Sequence, residues 1–330
     1  MSRFEEGTVS STNREPTFEK RFVQFIHPGH EYAAGRAGLS ANMTEGVMGW
    51  KFGDRPHNRK FLQAQGDAYD AADARWYRNR LLRFWGEWEP PSRVRRMNRD
   101  YQNWGLPSLL HEPIWPTNPP IHMRPAAAGG QGRQNTDPLV FGDQFAYSNC
   151  RQNKPVLRNL GVGSVVLFGR GSTQLSTFQL DTCLVVDARH SMREVPRDDS
   201  YGHNVLQDVV MDALSTEKIG AQYTSYLDTL VVYLGATPTA DGLARPFSFF
   251  PAKLTTVPDD AFSKATVTLT EPLRGLFNPR LQQGFKATVL NESDLTNAWQ
   301  EVVRQVTEQG YLLGTHAEPL RQHVDAPQVN

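Results

Sequence analysis

Apolar and polar residues alternate along several short stretches of this 330-residue chain, and the alternation predicts more strands than helices. The first stretch, RFVQFI at 21–26, stops at the turn signal His27-Pro28-Gly29. Further strands are predicted at 61–63, 81–88, 139–147, 164–168, 178–187, 229–234, 247–250 and 265–269. Apolar residues recur at helical spacing in 205–214 and in 294–309, and Gly310 supplies a stop for the second of these helices.

The predicted strands do not alternate regularly with helices, which favours an α+β fold with a mixed or antiparallel sheet over a doubly wound parallel one. Between 89 and 138 the chain holds nine prolines and no periodic pattern, so this segment is predicted to be an extended insertion or lid rather than sheet or helix. We therefore expect a disordered tail at 1–19, a single domain at 20–315 with an insertion at 89–138, and a flexible tail at 316–330.

The charge and the cysteine content of the chain limit which binding partners and which cellular compartment are expected. Lysine plus arginine equals aspartate plus glutamate at 35 each, so a polyanionic partner would need a local basic patch. The two cysteines, Cys150 and Cys183, cannot form a disulfide framework, which favours a reducing compartment and predicts a cytoplasmic protein. The first twenty residues lack the apolar segment of a signal peptide, and no apolar run approaches the roughly 20 residues that cross a bilayer, so no membrane partner is expected.

Arginines and aromatic residues are interleaved from Arg75 to Trp104. Guanidinium groups contact phosphate through a planar fork, and aromatic faces can stack on a displaced base. The segment is therefore either a nucleic-acid surface or a mixed core-and-surface segment without a ligand, since arginines also cover the rings of a core. On the first interpretation, the phosphate contacts come from Arg59, Lys60, Arg93, Arg95 and Arg96, and the base stacks between Trp85 and Trp88. Glu87, beside these indoles, is predicted to pair with an arginine, with contact to a base edge as the alternative.

A second group of candidate residues lies in the glycine-rich loop after the first strand: His27, His30, Glu31 and His57. Imidazoles and a carboxylate can act as acid and base, or can bind a divalent ion. Because Pro28-Gly29 prevents the helical spacing of the common zinc-protease signature, acid–base or ligand contact is favoured over a metal site; the alternative is a loop whose histidines cap turns. The glycine pairs at 161–163 and 169–171 match neither a phosphate-cradling loop nor a dinucleotide fingerprint, so no cofactor is expected.

The run CRQNKPVLRNLGVGSVVLFG, from Cys150 to Gly169, resembles a recurring piece of small barrel domains of the PUA, ASCH and EVE type and of bacterial nucleotide-modification-associated domains. In those families a Cys-x-Pro-x-Ile-Arg-like link leads to a Gly-Asp turn and an apolar strand. Here Lys154, Pro155 and Arg158 stand in the link, and Gly163-Ser164 replaces the Gly-Asp pair. The resemblance implies a β-barrel-like, PUA-like core that reads a modified or flipped base between aromatic side chains, in a bacterial modification or defence system.

These observations lead to three hypotheses. The first is a protein that binds DNA, RNA or a nucleotide through the arginine and tryptophan side chains. The second is an enzyme that acts on nucleotides or nucleic acid through His27, His30, Glu31 and His57. The third is a structural or regulatory subunit whose exposed tryptophans and proline-rich insertion dock a protein partner.

Overall fold

The computed structural model describes residues 18–26, 46–48, 59–88, 90, 92–97, 109–115, 136–171, 176–191, 205–206, 209–210, 230–256 and 262–321. Most of these residues lie in strands. In chain order the strands are β1 Arg21–Ile26, β2 Gly46–Met48, β3 Lys60–Asp70, β4 Arg75–Gly86, β5 Ser92–Arg96, β6 Leu109–Trp115, β7 Ala146–Tyr147, β8 Val165–Gly171, β9 Thr177–Ser191, β10 Val231–Gly235, β11 Phe250–Leu254, β12 Ala265–Thr268, β13 Gly284–Val289, β14 Leu312–Glu318 and β15 Leu320–Arg321. The helices with defined bounds are α1 Pro155–Arg158, α2 Glu292–Glu308 and a short 3-10 helix at Arg274–Leu276.

The strands form two mixed sheets. The first sheet has the order β13-β1-β8-β9-β10-β7, with β12 paired to β9. Its pairs are antiparallel except β1 with β8, which is parallel. The second sheet has the order β14-β11-β4-β3-β6-β5-β2, and β15 pairs with β6. Strand β14 also pairs with β3, so that β3, β4, β11 and β14 are joined in a circuit of hydrogen-bonded neighbours.

The main core lies between the two sheets, because each contributes one apolar face to it. Successive side chains on a strand point to opposite faces, so a strand that borders this core buries every second residue in it. The first sheet contributes residues such as Phe25, Phe168 and Leu184, and the second contributes residues such as Leu62 and Phe84. Since the alternate residues of β3 and β4 lie outside this cluster, they are available for a separate site on the other face of the second sheet.

Helix α2 covers the other face of the first sheet. Its start follows from the sequence, because the side chain of Asn291 accepts a hydrogen bond from the backbone N–H of Asp294 at 2.9 Å. The apolar positions Leu295, Trp299 and Val302 are buried in a second core cluster, and the Trp299 indole donates to the Phe247 carbonyl at 3.0 Å. Within the described part of the chain, no helix combines the length and apolar composition that a bilayer crossing requires.

Several predicted elements are confirmed. Strand β1 has the predicted bounds, and α2 starts two residues before the predicted helix and ends one residue earlier than predicted. The predicted strands at 164–168, 178–187 and 265–269 correspond to β8, β9 and β12. Of the helix predicted at 205–214, only 205–206 and 209–210 are described, and they are helical. The prediction of a mixed sheet is also confirmed.

Other predictions are wrong. The proline-rich segment 89–138 was predicted to hold neither sheet nor helix, but it contains two paired strands, β5 and β6. Pro113 is tolerated within β6, where it lies opposite Ser92. The strand predicted at 139–147 is limited to Ala146 and Tyr147, since Gly142 has a positive φ of 90° and interrupts the extended chain. Strand β14 continues past 315, the predicted end of the domain.

Candidate functional site: the outer face of the second sheet

The candidate acid–base residues are not placed by the structure. His27, His30, Glu31 and His57 all lie outside the described residues, so the enzyme hypothesis stays a prediction. Among the residues that are described, no group of three or more histidine, cysteine, aspartate or glutamate side chains could hold a metal ion.

The two tryptophans predicted to flank a base are buried. Trp88 has no exposed surface and packs against Phe141 with a ring separation of 4.6 Å. Trp85 is 6% exposed, its ring is 5.3 Å from that of Phe61, and the ammonium of Lys264 lies 4.5 Å from its centre. The prediction that Trp85 and Trp88 form walls open to solvent is therefore wrong, because both rings are needed as packing in the interior.

Arg59 and Lys60 are also not exposed phosphate contacts. The Arg59 side chain is 1% exposed; its Nη1 lies 3.0 Å from Glu87 Oε2, and its Nε lies 3.0 Å from Asp181 Oδ2. Asp181 in turn accepts from the Lys264 ammonium at 2.8 Å. This buried ion-pair cluster confirms the predicted pairing of Glu87 with an arginine. Lys60 donates to the carbonyl of Trp88, so both cations are held by the protein itself.

The ion-pair cluster joins the two sheets. Arg59 and Glu87 adjoin β3 and β4 of the second sheet, whereas Asp181 lies on β9 of the first sheet. Asp181 and Lys264 could not be predicted from the sequence, because they are distant in the chain from Arg59 and a single acid or lysine beside a strand is not a signal. Among these residues, Arg59 Nη2 and Trp85 Nε1 are buried donors without a hydrogen-bond partner.

A buried carboxyl, Asp137, and a half-buried thiol, Cys150, lie near this cluster. Burial raises the pKa of the Asp137 carboxyl to about 6, although the backbone N–H groups of Cys150, Ser148 and Asn149 donate to it and lower the pKa. Burial also raises the pKa of the Cys150 thiol well above its usual value, and the nearby carboxyls of Asp137 and Glu87 raise it further. The thiol is therefore protonated at neutral pH and is not an activated nucleophile.

The accessible cations among the predicted binding residues, Arg93 and Arg95, lie instead on the outer face of the second sheet. We define this face as the one that carries Phe61, Gln63, Arg83 and Trp85. These residues alternate along β3 and β4 with Leu62, Ala64, Leu82 and Phe84 of the main core. Arg93 and Arg95, two of the predicted binding residues, pair in register with Glu112 and Leu110 on β6. Of Arg96 the structure describes only the backbone, which lies opposite Leu109.

One row of polar side chains crosses five neighbouring strands of this face, and we call it the polar row: Lys253, Arg83, Gln63, Glu112 and Arg93. The Arg83 Nε donates to Gln63 Oε1 at 2.8 Å, and Gln63 Nε2 donates to Glu112 Oε1 at 2.9 Å. Arg93 Nη1 lies 3.6 Å from Glu112 Oε2. Since strands are spaced by about 4.8 Å, the row extends for roughly 19 Å across the sheet.

An apolar row runs beside the polar row on the same face. It consists of Trp85, Phe61 and Leu110 in register, and it ends at Arg95 on β5. Phe262 packs on Phe61 at a ring separation of 5.1 Å, and the Arg83 guanidinium lies 5.3 Å from the centre of the Phe262 ring. The apolar row is thus closed to solvent. Its packing holds together the strands that carry the cations.

The two rows carry four cations and one carboxylate, which is a formal charge of +3 on a chain with no net charge. Arg83 is only 8% exposed, so the cations that a ligand can reach are Arg93, Arg95 and Lys253. The Arg93 side chain is 63% exposed, and Arg95 and Lys253 are half-buried. Lys253 packs over the Tyr311 ring at 4.4 Å, and partial burial lowers the pKa of its ammonium. The outer face can therefore offer guanidinium and ammonium groups to an anionic ligand from a rigid sheet.

The far end of the β3–β4 hairpin carries the remaining part of the arginine and aromatic segment. Arg75 lies 4.9 Å from the Tyr77 ring centre, and Arg78 lies 4.1 Å from that of Trp76. Three acids of the same hairpin offset these cations, however: Asp67, which pairs with Arg78 at 2.6 Å, together with Asp70 and Asp73. With no excess of positive charge, this end is a weaker candidate for an anionic ligand than the polar row.

Comparisons with known proteins returned no match. No family model matches the chain, no curated protein is significantly similar in sequence, and no solved structure is significantly similar to it.

Proposed function

We propose that this protein binds single-stranded nucleic acid or a nucleotide on the outer face of the second sheet. The observation that carries the proposal is the polar row, in which Gln63 and Glu112 join Arg83 of β4 to Arg93 of β5. Lys253 of β11 lies in register beside Arg83. Arginine and lysine side chains at this density contact phosphate oxygens, and they do so without reading sequence.

The dimensions of the row suit a short strand. A span of roughly 19 Å corresponds to about five or six stacked nucleotides at 3.4 Å per step. Arg93 is the most accessible of the cations, with a side chain that is 63% exposed. Its ion pair with Glu112, at 3.6 Å, is longer than a hydrogen bond, so the N–H groups of its fork can still donate to a phosphate. Arg95, at the end of the apolar row, lies two residues along the same strand and therefore on the same face.

The PUA-like core also belongs to this proposal. Its support is the segment from Cys150 to Gly169, which forms helix α1 and a turn with Gly163 at a φ of 88° before it enters the apolar strand β8. This order of link, turn and apolar strand is the order that the resemblance implies. A role in reading modified bases for a bacterial modification or defence system rests on that resemblance alone.

Fluorescence anisotropy with a labelled 12-nucleotide single strand tests the proposal across a salt series. Each phosphate contact on a single strand contributes about −0.7 to the slope of log K against log salt, so contacts from Arg93, Arg95 and Lys253 predict a slope near −2. Replacing any one of these three by alanine is expected to weaken binding and to reduce the slope by about 0.7.

Lys20→Ala serves as the matched control, because Lys20 is a half-exposed cation that pairs with Glu292 beside the first sheet. This variant is expected to bind as the unmodified protein does. If the protein does not bind the oligonucleotide at about 50 mM salt, or if Lys20→Ala weakens binding as much as Arg93→Ala does, the proposal is rejected.

A further inference from the structure

Glu112 is the one acid of the polar row, and its carboxylate is held in place by its neighbours. Arg83 can only donate, so its Nε bond at 2.8 Å fixes the amide oxygen of Gln63 toward β4. The amide nitrogen of Gln63 must then face β6, where it donates to Glu112 Oε1 at 2.9 Å. The orientation of the Glu112 carboxylate is thereby determined by a chain of hydrogen bonds that starts at Arg83.

The second oxygen of this carboxylate is an open acceptor. Its distance to Arg93 Nη1 is 3.6 Å, which is longer than a hydrogen bond, and the Glu112 side chain is 23% exposed. Among the described residues, Oε2 has no hydrogen-bond donor. A positioned, partly desolvated carboxylate oxygen is a strong acceptor for an N–H group of a ligand.

A carboxylate is unfavourable in a row that contacts phosphate alone, because it repels the phosphates and cancels one of the cations. It is useful if the ligand also presents an N–H donor there. Nucleobases differ in this respect: cytosine carries a donor amino group at position 4, where uracil and thymine carry an acceptor oxygen. A fixed carboxylate attracts the former and repels the latter.

We propose that Glu112 accepts a hydrogen bond from the exocyclic amino group of a base and thereby gives the outer face a preference for cytosine over uracil in single strands. This inference rests on the proposed function. Arg93, directly opposite Glu112 on β5, contacts the phosphate of the same nucleotide. Glu112 is then a specificity residue, while the cations supply most of the affinity.

Oligo(dC) and oligo(dU) of 12 nucleotides test the proposal at pH 7.5, because the two strands differ at the amino-bearing edge of the base and carry the same phosphates. The unmodified protein is expected to bind oligo(dC) about ten- to a hundredfold more tightly, the magnitude of one charge-assisted hydrogen bond. In Glu112→Gln, oligo(dU) binding is expected to strengthen because a repulsive charge is removed, and the ratio between the two strands is expected to fall toward one.

Two further variants separate specificity from charge and from folding. Glu112→Asp keeps the negative charge but withdraws the oxygen by one methylene, so the ratio is expected to fall while the salt slope is retained. Glu292→Gln removes an exposed acid from the pair with Lys20 and is expected to leave the ratio unchanged. Thermal unfolding of each variant confirms that it is folded.

The outcomes distinguish the two proposals. Salt-dependent binding with equal affinity for both strands overturns the role of Glu112 and leaves the proposed function standing. Binding to neither strand overturns both. A Glu112→Gln variant that changes the two affinities by the same factor shows that Glu112 acts through charge alone, and this also overturns the inference.

Discussion

Replacing Glu87 by glutamine is expected to destabilise the protein strongly, because it leaves the buried Arg59 guanidinium with one carboxylate instead of two. Arg59 Nη1 contacts Glu87 at 3.0 Å, and both side chains are at most 1% exposed, so water cannot replace the lost charge. Removal of one partner of a buried ion pair costs about 3–5 kcal/mol. Since glutamine retains an acceptor oxygen and the shape of the side chain, and since Asp181 still contacts Arg59, we expect the lower end, about 3 kcal/mol.

Urea denaturation followed by tryptophan fluorescence measures this loss, with an unchanged m-value as the sign that the same transition is compared. Arg78→Ala is the control, because the Arg78–Asp67 pair has a similar distance of 2.6 Å but an Arg78 side chain that is 59% exposed. An exposed pair contributes about 0–1 kcal/mol. The loss of stability in Arg78→Ala is therefore expected to fall within this range.

The double variant Arg59→Met with Glu87→Leu tests whether the cost comes from an uncompensated charge. Replacing both partners by apolar side chains of similar volume is expected to cost less than Glu87→Gln alone, since Asp181 keeps the Lys264 ammonium at 2.8 Å. A loss below about 1 kcal/mol for Glu87→Gln, or a double variant much less stable than the single one, would refute this reasoning.

Three other predictions concern residues away from the outer face. Trp88→Ala removes a wholly buried ring that packs on Phe141 at 4.6 Å. In the same urea assay, it is expected to lower the free energy of unfolding by about 3–5 kcal/mol, and a loss under about 1 kcal/mol would contradict the place of Trp88 in the core. Burial raises the Asp137 pKa from 3.8 to about 6, so the protonated carboxyl stabilises the folded protein below pH 3.8, and this stability, about 3 kcal/mol in total, is lost as the pH rises through 6. In Asp137→Asn, the free energy of unfolding should therefore depend less steeply on pH between 4 and 6. An identical slope in the variant would exclude Asp137 as its source. Gly66→Ala places a Cβ too close to the carbonyl oxygen of His316, so this variant should have a clearly lower melting temperature. A Cβ on Gly275 meets open space, so Gly275→Ala is the control and should leave the melting temperature unchanged. Equal melting temperatures for the two variants would contradict the close approach of β3 and β14.

The alternation of apolar residues was sufficient to predict β1 and the strands of the first sheet between 164 and 187. The pattern is informative there because these strands border a core, so the burial of each strand shows in the order of its apolar residues along the sequence. It was not sufficient for β5, where the segment SRVRR reads as a solvated, charged stretch, or for β14, LLGTHAE, whose pattern is broken by a register shift between Gly314 and His316. In those strands, pairing with β6 and β3 decides the conformation, and such partners are not visible in a local pattern.

The candidate site was predicted only in part for the same reason. The sequence pointed to Arg93 and Arg95 as binding residues, but nothing in it distinguished these exposed or half-buried arginines from the buried Arg59. The burial of an arginine depends on which other parts of the fold pack against it. Lys253 joins Arg93 through three intervening strands, and the row exists only because the registers of β11, β4, β3, β6 and β5 coincide. Register is a property of the assembled sheet.

The pairing of β14 with β3 has a consequence for synthesis of the chain. Thr315 on β14 donates to the carbonyl of Asp67 on β3, a residue 248 positions earlier in the sequence. A ribosome adding about 5–20 residues per second needs roughly 12–50 seconds to cover that interval, during which the part of β3 that pairs with β14, Gln65 to Tyr69, lacks this neighbour. Nascent chains of this protein are therefore expected to need chaperone protection until β14 is released.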